Sequence, residues 1–272
     1  MALADEFDGL LVDLDGVVWV GREPIAGAGD ALRELQNAGK GLVFVTNNPG
    51  RAAGVYAERL GEAGVEVGAE QVVTAGEATA RLAAERVGRD GSAFVIGAPA
   101  FKQAVAAAGL TLVEDAPASK GLGPDDAEAV EADAVIVSGH RGFDYGELLS
   151  ATRALQGGAA LFATSRDPTL PMPGGAWPGT GAVLAAVETA SGATAEIGGK
   201  PERHLFELAR ERIGDAERVA MVGDRVSSDI EGGRRAGLTT ILVLSGATSR
   251  EEAESAAPRP DHVIESLADL LR

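Results

Sequence analysis

The sequence predicts an α/β protein with a doubly wound parallel sheet and a second α/β domain inserted into the first. Short, β-branched apolar runs alternate along the chain with segments of helical periodicity, which is the pattern of successive βαβ units. That pattern restarts at Arg89, in the middle of the sequence. The 272 residues, of which 45% are hydrophobic, are enough for one large domain with an inserted one.

The domain boundaries follow from the position of this restart. We expect residues 1–79 and 181–272 to form the core domain and residues 80–180 to form the inserted domain. Hinges are predicted near residue 80 and in the Gly/Pro-rich segment 171–181, because glycine and proline interrupt regular elements.

The first third of the chain begins with a short apolar run, residues 10–12, which is bounded by turn residues and predicts a buried strand. Residues 28–38 have helical spacing and are followed by Gly39, which suits a helix C-terminus. The same criteria predict a strand over 41–45, a helix over 51–63, a strand over 72–73 and a helix over 77–87.

The middle third has its own set of elements. Strands are predicted over 93–96, 110–113, 134–137 and 159–163, and helices over 99–108 and 145–155. Residues 125–133 are acidic and predict a loop.

The last third continues the alternation. Helices are predicted over 182–191 and 202–213, from about Ser227 to Gly237, and over 267–271. Strands are predicted over 218–222 and over 239–244, and the second of these is expected to be the last strand of the core.

Composition excludes several classes of function. The chain has 24 Lys and Arg against 41 Asp and Glu, a formal charge of −17, and such a field repels nucleic-acid phosphates. The absence of cysteine excludes disulfides, thiolate metal sites and cysteine nucleophiles. No apolar run approaches the length of a membrane span, and no basic segment precedes an apolar one at the N-terminus. We therefore expect a cytoplasmic protein that binds neither nucleic acid nor membrane.

Acidic side chains follow the first strand. Asp13 and Asp15 stand at its carboxyl end, where open parallel sheets bind ligands, and Gly16 allows a close backbone approach. Taken alone, this Asp-x-Asp-Gly segment is equally consistent with a β-turn, since Asp and Gly are common turn residues.

Polar residues recur at the ends or starts of later elements, namely Thr46, Asn47, Asn48, Lys200, Asp224 and Asp229. Close pairs among Asp13, Asp15 and Asp224 would repel by roughly 4 kcal/mol at an effective dielectric near 20, so a cation is needed. Cysteine is absent and histidine is missing from these segments, and carboxylate ligands favour Mg²⁺. Mg²⁺ commonly bridges such carboxylates to a phosphate, and the Thr46, Asn47 and Lys200 side chains would bind the remaining phosphate oxygens.

The ordered motifs DLDGVVW, TNN, GKP and GDRVSSDI resemble those of the haloacid dehalogenase-like (HAD) superfamily. Within subfamily IIA, the chain is similar to the branch of p-nitrophenyl phosphatases, phosphoglycolate phosphatases and related sugar- or nucleotide-phosphate phosphatases. The resemblance spans essentially the whole chain. It implies a Rossmann-like HAD core with an α/β cap, and four motifs in order argue strongly against the turn-only interpretation.

The resemblance also implies roles for individual residues. Asp13 would be the nucleophile that forms an aspartyl phosphate, and Asp15 the general acid and base. Asp13, the main-chain oxygen of Asp15, and Asp224 would hold Mg²⁺, while Asp229 would orient metal-bound water. Thr46, Asn47, Asn48 and Lys200 would bind phosphate.

The cap departs from the family pattern. Ser165 replaces a usual Asn, although Asp167 is kept, and the turn at residues 138–145 matches only in its Phe and Tyr. His140 and Arg141 in this turn are candidates for contacting a substrate's distal group, with a solvated turn as the alternative. Trp177 is either a packing residue at the cap hinge or a lid over the site.

We thus expect an Mg²⁺-dependent phosphatase that acts on a small phosphorylated metabolite such as a sugar, glycerol, glycolate or nucleotide phosphate. Two alternatives stay open: a phosphomutase of the same superfamily, and a catalytically idle relative that binds phosphometabolites. If the chain is oligomeric, a homodimer through the cap is expected.

Overall fold

A computed structural model of the chain describes residues 2–114, 130–170 and 175–272. Its contacts separate two units. The first comprises Met1–Thr46, Ala53–Thr74 and Lys200–Arg272, and the second comprises Asn47–Ala52 and Ala75–Gly199. Most of the predicted acidic loop, residues 125–129, and part of the predicted hinge, residues 171–174, lie outside the described residues.

The strands are numbered here in chain order. They are β1 (Gly9–Asp13), β2 (Trp19–Val20), β3 (Glu23–Pro24), β4 (Gly41–Thr46), β5 (Val72–Thr74), β6 (Ser92–Ile96), β7 (Thr111–Val113), β8 (Ala134–Val137), β9 (Ala160–Ala163), β10 (Thr169–Leu170), β11 (Trp177–Pro178), β12 (Glu196–Ile197), β13 (Val219–Gly223), β14 (Thr239–Val243) and β15 (His262–Ile264).

The α-helices are α1 (Ala28–Asn37), α2 (Ala53–Glu62), α3 (Ala75–Val87), α4 (Pro99–Ala107), α5 (Tyr145–Gln156), α6 (Thr180–Ser191), α7 (Arg203–Ile213), α8 (Glu231–Arg235) and α9 (Arg250–Ser255). Short 3₁₀ segments occupy Leu3–Glu6, Ala69–Gln71 and Leu267–Leu271, and Val226–Ile230 forms a π-helical turn.

The first unit contains a six-stranded sheet in the order β15-β14-β13-β1-β4-β5. All its strand pairs are parallel. Strand β1 lies inside the sheet and every one of its residues is buried, which explains its continuous apolar sequence. These features confirm the predicted α/β class with a parallel sheet.

The second unit contains a five-stranded sheet in the order β12-β9-β8-β6-β7, again with parallel pairs. Helix α6 packs into its core through Val183, Leu184 and Val187. The predicted boundary at residue 181 places this helix in the first domain, because periodicity identifies a helix but not the sheet on which it packs. In the structure, the second unit takes up Asn47–Ala52 and then the long segment Ala75–Gly199. The sequence predicted one inserted segment with its boundaries after residues 79 and 180.

The expectation that residues 239–244 form the last strand was wrong. Strand β15 follows, and it pairs with β14 through Ile241 and His262 at one end and Val243 and Ile264 at the other. It is a three-residue edge strand whose central residue, Val263, is 41% exposed, so the sequence carries almost no periodic signal there. The antiparallel pairs β2–β3 and β10–β11 were also not predicted, since each strand has only two residues.

Within the described ranges, no helix combines the length and apolar character that crossing a bilayer requires.

Candidate active site

The candidate site lies at the carboxyl ends of β1 and β13. Strand register pairs Val12 with Val222 on one side of β1, and Asp13 with Val45 on the other. Asp224 is the first residue after β13, and therefore emerges at the same edge of the sheet as Asp13. Parallel strands bring their carboxyl ends together, which is why residues more than 200 positions apart in the chain meet here.

Lys200 joins two buried aspartates. Its Nζ atom lies 2.5 Å from Asp13 Oδ1 and 2.6 Å from Asp229 Oδ1. Asp13, Lys200 and Asp229 are only 6%, 4% and 1% exposed. The lysine therefore fixes one oxygen of each carboxylate and supplies a positive charge between them.

Asp229 is held by the local backbone as well. It lies in the π-helical turn Val226–Ile230, where its amide donates to the carbonyl of Arg225, while its own Oδ2 accepts from the Arg225 amide at 3.0 Å. Such single π turns often occur at functional sites because they redirect a side chain. Here the turn directs Asp229 back toward Lys200.

Asp224 is buried but only partly satisfied. Its Oδ2 accepts from the Ala247 amide at 2.7 Å, whereas its Oδ1 has no hydrogen-bond partner among the described residues. Gly16 and Gly246 line this carboxylate so closely that a Cβ atom at either position would collide with it. A buried carboxylate oxygen without a donor is costly unless a cation completes it.

The donor set fits a divalent cation. Asp13, Asp224 and Asp229 each offer an oxygen, and these oxygens lie within 4.8 Å of one another. Three carboxylates and the Lys200 ammonium carry a net charge of about −2, which a divalent ion neutralises. Oxygen-only ligands together with the unsatisfied Asp224 Oδ1 match the preference of Mg²⁺.

The pKa values of these groups reflect their burial first and the charges of their neighbours second. Burial raises the pKa of Asp13 well above its usual value, and Asp229 and Asp224 add to the rise, while Lys200 opposes it. Burial and the charge of Asp229 raise the pKa of Asp224 to about 6. Burial lowers the pKa of Lys200, but Asp13 and Asp229 more than offset this, so its pKa is raised and it stays protonated.

Asp15 differs from the other acids because it is exposed. Its Oδ1 accepts a hydrogen bond of 3.1 Å from the indole Nε1 of Trp19. The protein packed around its carboxyl group raises the pKa of Asp15, and the Trp19 hydrogen bond and the charge of Arg59 oppose this rise. Asp15 is thus the acid of this group that a bound molecule can reach from solvent.

The other predicted phosphate ligands fall into both units. Thr46 is buried at the end of β4 and belongs to the first unit, whereas Asn47 and Asn48 belong to the second. Asn47 Nδ2 lies 3.4 Å from Asp167 Oδ2, and Asn48 Oδ1 accepts from the amide of Gly50. The predicted roles of these residues in binding phosphate stay predictions.

The two specificity candidates of the second unit have different environments. His140 Nε2 lies 3.0 and 2.9 Å from the two carboxylate oxygens of Glu147, and its Nδ1 accepts from the amide of Gly142. The guanidinium of Arg141 lies 4.5 Å from the centre of the Trp177 ring. Both ring nitrogens of His140 are therefore engaged, one by Glu147 of α5 and one by Gly142 of the turn, whereas Arg141 stacks on an aromatic side chain that is 40% exposed.

Sequence reasoning missed three contributors to these arrangements: Trp19, Gly246 and Glu147. Trp19 belongs to the DLDGVVW motif, but no pattern in that motif indicates that its indole contacts Asp15. Gly246 lies in a Ser-Gly turn after a strand, which is recognisable. The Asp144-x-x-Glu147 pattern predicts a helix start, which the structure contains, but no sequence signal connects Glu147 with His140.

Comparisons with known proteins agree with this geometry. Residues 10–111 match the family model of haloacid dehalogenase-like hydrolases, and residues 197–270 match a HAD-hydrolase-like model. Human chronophin is 39% identical over 278 residues, covering 96% of this chain and 91% of the relative. Chicken glycerol-3-phosphate phosphatase is 39% identical over 291 residues, covering 99% of this chain and 93% of the relative.

Among solved structures, a glycerol phosphate phosphatase from Mycobacterium tuberculosis in complex with magnesium superimposes with a TM-score of 0.89 at 35% identity. The match covers 100% of this chain and 78% of that one. The match to that structure covers both units, and the two stretches matched by the family models contain the four motifs. The chain therefore belongs to the haloacid dehalogenase-like hydrolase family.

Proposed function

We propose that this protein is an Mg²⁺-dependent phosphatase that hydrolyses small phosphate monoesters through an aspartyl-phosphate intermediate. The observation that carries the proposal is that the acids of the site have different environments. Asp13 is buried and bonded to Lys200 beside the half-satisfied Asp224, whereas Asp15 is exposed and held separately by Trp19. One site thus contains a charge-compensated nucleophile and a second, accessible carboxyl group for proton transfer.

In the first step, a carboxylate oxygen of Asp13 attacks the phosphorus atom of the substrate. The bond between phosphorus and the ester oxygen breaks, and its electron pair stays on that oxygen, which takes the proton of the Asp15 carboxyl group. The products of this step are the free alcohol and a phosphorylated Asp13. Lys200 keeps Asp13 oriented and neutralises part of the charge that develops on the phosphoryl oxygens.

In the second step, water attacks the phosphorus atom of the intermediate and gives a proton to the Asp15 carboxylate. The bond between phosphorus and Asp13 breaks, and its electron pair returns to the Asp13 carboxylate. Inorganic phosphate is released, and Asp15 is protonated again for the next turnover. Asp13 takes the phosphoryl group in the first step and releases it in the second, while Asp15 gives a proton and then takes one back.

Mg²⁺ would be held by Asp13, Asp224 and the main-chain oxygen of Asp15, with Asp229 outside the direct ligands. The two hydrogen bonds that Asp229 already accepts, from Lys200 and from the Arg225 amide, support this secondary position. When bound, the ion offsets the negative charge of the carboxylates and of the substrate phosphate.

The substrate class follows from the relatives and from charge. Glycerol-3-phosphate phosphatases cover nearly the full length of this chain, which supports glycerol phosphates and similar small esters as substrates. The formal charge of −17 disfavours nucleic acids. We also propose that the second unit acts as the cap that sets specificity, and that the protein works in the cytoplasm. Light scattering on the purified chain will test a homodimer through the cap.

The proposal is tested by phosphate release from glycerol 3-phosphate and p-nitrophenyl phosphate with and without Mg²⁺. We expect turnover that a chelator abolishes and that Asp13→Asn removes while circular dichroism stays unchanged. Absence of hydrolysis with retained binding of phosphate esters would instead favour the idle binding relative. Return of the phosphoryl group to another position of a sugar phosphate would favour the phosphomutase.

A further inference from the structure

Trp19 has a role that the proposed chemistry leaves unassigned. Its side chain is 2% exposed, although the next residue, Val20, is 57% exposed. Its indole N–H donates to Asp15 Oδ1 at 3.1 Å. A buried ring whose polar edge meets an exposed carboxylate can hold that carboxylate in place.

We propose that Trp19 is a positioning residue for Asp15 and that Arg59 fixes Trp19 in turn. This inference rests on the proposed function, because it explains how the general acid reaches its working geometry. An exposed aspartate side chain samples several rotamers, and ordering it costs entropy. The hydrogen bond from the Trp19 indole restricts Asp15 at its Oδ1 atom.

The backbone around the turn places the indole. Gly16 takes a φ of 90°, its amide donates to the carbonyl of Trp19 at 2.7 Å, and the amide of Trp19 donates to the carbonyl of Leu14. Asp15 and Trp19 also form an isolated β-bridge through their backbones. The tight turn thus brings a residue four positions away back beside Asp15.

Arg59 packs on the face of the Trp19 ring. Its guanidinium carbon lies 3.9 Å from the centre of the Trp19 ring, and its Nη2 donates to the carbonyl of Gly21 at 2.8 Å. Helix α2 is thereby tied to the hairpin that carries Trp19. A cation over the face of an indole also strengthens the N–H at its edge as a donor, because it draws electron density from the ring.

The consequence is a choice between the two oxygens of Asp15. Since Oδ1 accepts from Trp19, the proton that goes to the leaving group is carried by Oδ2. A misoriented acid matters most for alkyl esters, whose leaving alkoxide needs a proton as the bond breaks. It matters little for p-nitrophenyl phosphate, because nitrophenolate is a stable anion.

The test compares kcat/KM for glycerol 3-phosphate with kcat/KM for p-nitrophenyl phosphate. The second value reports phosphoryl transfer to Asp13 without a need for protonation of the leaving group. In Trp19→Phe, which keeps a ring but removes the N–H, we expect the ratio of the two to fall about tenfold. General acid catalysis contributes roughly 10²- to 10⁴-fold to the rate, and Trp19→Phe should lose part of this contribution. Asp15→Asn should lose all of it. Phe7→Leu, a truncation of another aromatic residue in the same core cluster, should leave the ratio within about twofold.

A second readout does not depend on activity. The chain has two tryptophans, so Trp177→Phe assigns the two indole N–H signals in a nitrogen-15 correlation spectrum. Asp15→Ala should shift the Trp19 signal and leave that of Trp177 in place. The inference is overturned if the Trp19 signal does not move in Asp15→Ala. It is also overturned if Trp19→Phe lowers kcat/KM for the two esters by the same factor. A wild-type protein that hydrolyses neither ester refutes the proposed function instead, and the spectrum still decides on the hydrogen bond.

Discussion

Lys200 Nζ lies 2.5 Å from Asp13 Oδ1, and both side chains are almost completely buried. The pair is not a simple salt bridge, since the same ammonium also bonds Asp229 Oδ1 at 2.6 Å. One cation therefore serves two buried anions, and removal of its charge leaves both uncompensated. Breaking a buried pair in this way is far more costly than losing a surface ion pair.

The first prediction concerns this lysine. Lys200→Ala should lower kcat/KM by about 10²- to 10³-fold, because a preorganised positive donor to the reacting phosphoryl group is lost. Lys200→Arg should recover little, since a planar guanidinium cannot replace a compact ammonium between two carboxylates. Lys40→Ala removes a lysine of the same unit that bonds the carbonyl of Phe7, and it should retain nearly full activity. A Lys200→Ala enzyme within tenfold of wild type, with an unchanged circular dichroism spectrum, would contradict this role.

The second prediction concerns Gly16, whose φ is 90° and whose missing Cβ leaves room for the Asp224 carboxylate. Gly16→Ala should reduce activity at least about 100-fold, because displacing a residue at the reacting centre is costly. Gly21→Ala is the matched control: its φ is 59°, but nothing lies within 4 Å of the added Cβ. It should show only the backbone strain, as a small decrease in melting temperature. Equal activity losses in the two variants would mean that strain, and not the Asp224 contact, is responsible.

The third prediction concerns pH and Mg²⁺. In the metal-free protein the pKa of Asp224 is raised to about 6 from a usual value near 3.8, so the folded state binds this proton more tightly than the unfolded state does. The metal-free protein should therefore lose stability as pH rises from about 4 to 6, and this contribution should stay constant above that range. Protons and Mg²⁺ compete for the same carboxylate, so Mg²⁺ affinity should fall roughly tenfold between pH 7 and pH 5.

Calorimetric titration with Mg²⁺ at pH 5, 6 and 7.5 measures this affinity, and thermal melts with and without a chelator measure the stability. In Asp224→Asn the stability change between pH 4 and 6 should shrink. An Mg²⁺ affinity that does not vary from pH 5 to pH 7.5 would show that Asp224 does not titrate in this range.

The sequence predicted the parts of the fold that depend on long periodic segments. Strand β1 and strand β8 were predicted within one residue because buried parallel strands are continuous apolar runs. Strand β15 and the two-residue hairpins were missed because an edge strand or a tight turn needs few apolar residues. Helix α6 was predicted correctly as a helix. The predicted boundary put it with the first unit, whereas it packs with the second, since its partner sheet depends on contacts far away in the sequence.

For the site, the sequence supplied the acids but not their arrangement. Asp13 and Asp224 were expected together because both lie at the carboxyl ends of strands in one parallel sheet. The structure brings them together, and Asp229 joins them. The bond from Trp19 to Asp15 depends on the path of the turn after β1, and the sharing of Lys200 between two carboxylates depends on a π-helical turn. Neither feature has a pattern in the sequence that specifies it.

The last prediction concerns the second unit, where His140 is held by Glu147 and Arg141 stacks on Trp177. We expect Arg141→Ala to change the ranking of phosphate esters by kcat/KM, because it removes the guanidinium charge that packs on the exposed Trp177 ring. Turnover of p-nitrophenyl phosphate should stay within about tenfold of wild type. Glu147→Gln should act through the orientation of His140 and produce a smaller change. Arg89→Ala removes the same charge from an exposed turn of the same unit and should leave the ranking as in wild type. A panel of sugar, glycerol, glycolate and nucleotide phosphates provides the measurement, and an unchanged ranking in Arg141→Ala would exclude this arginine from substrate selection.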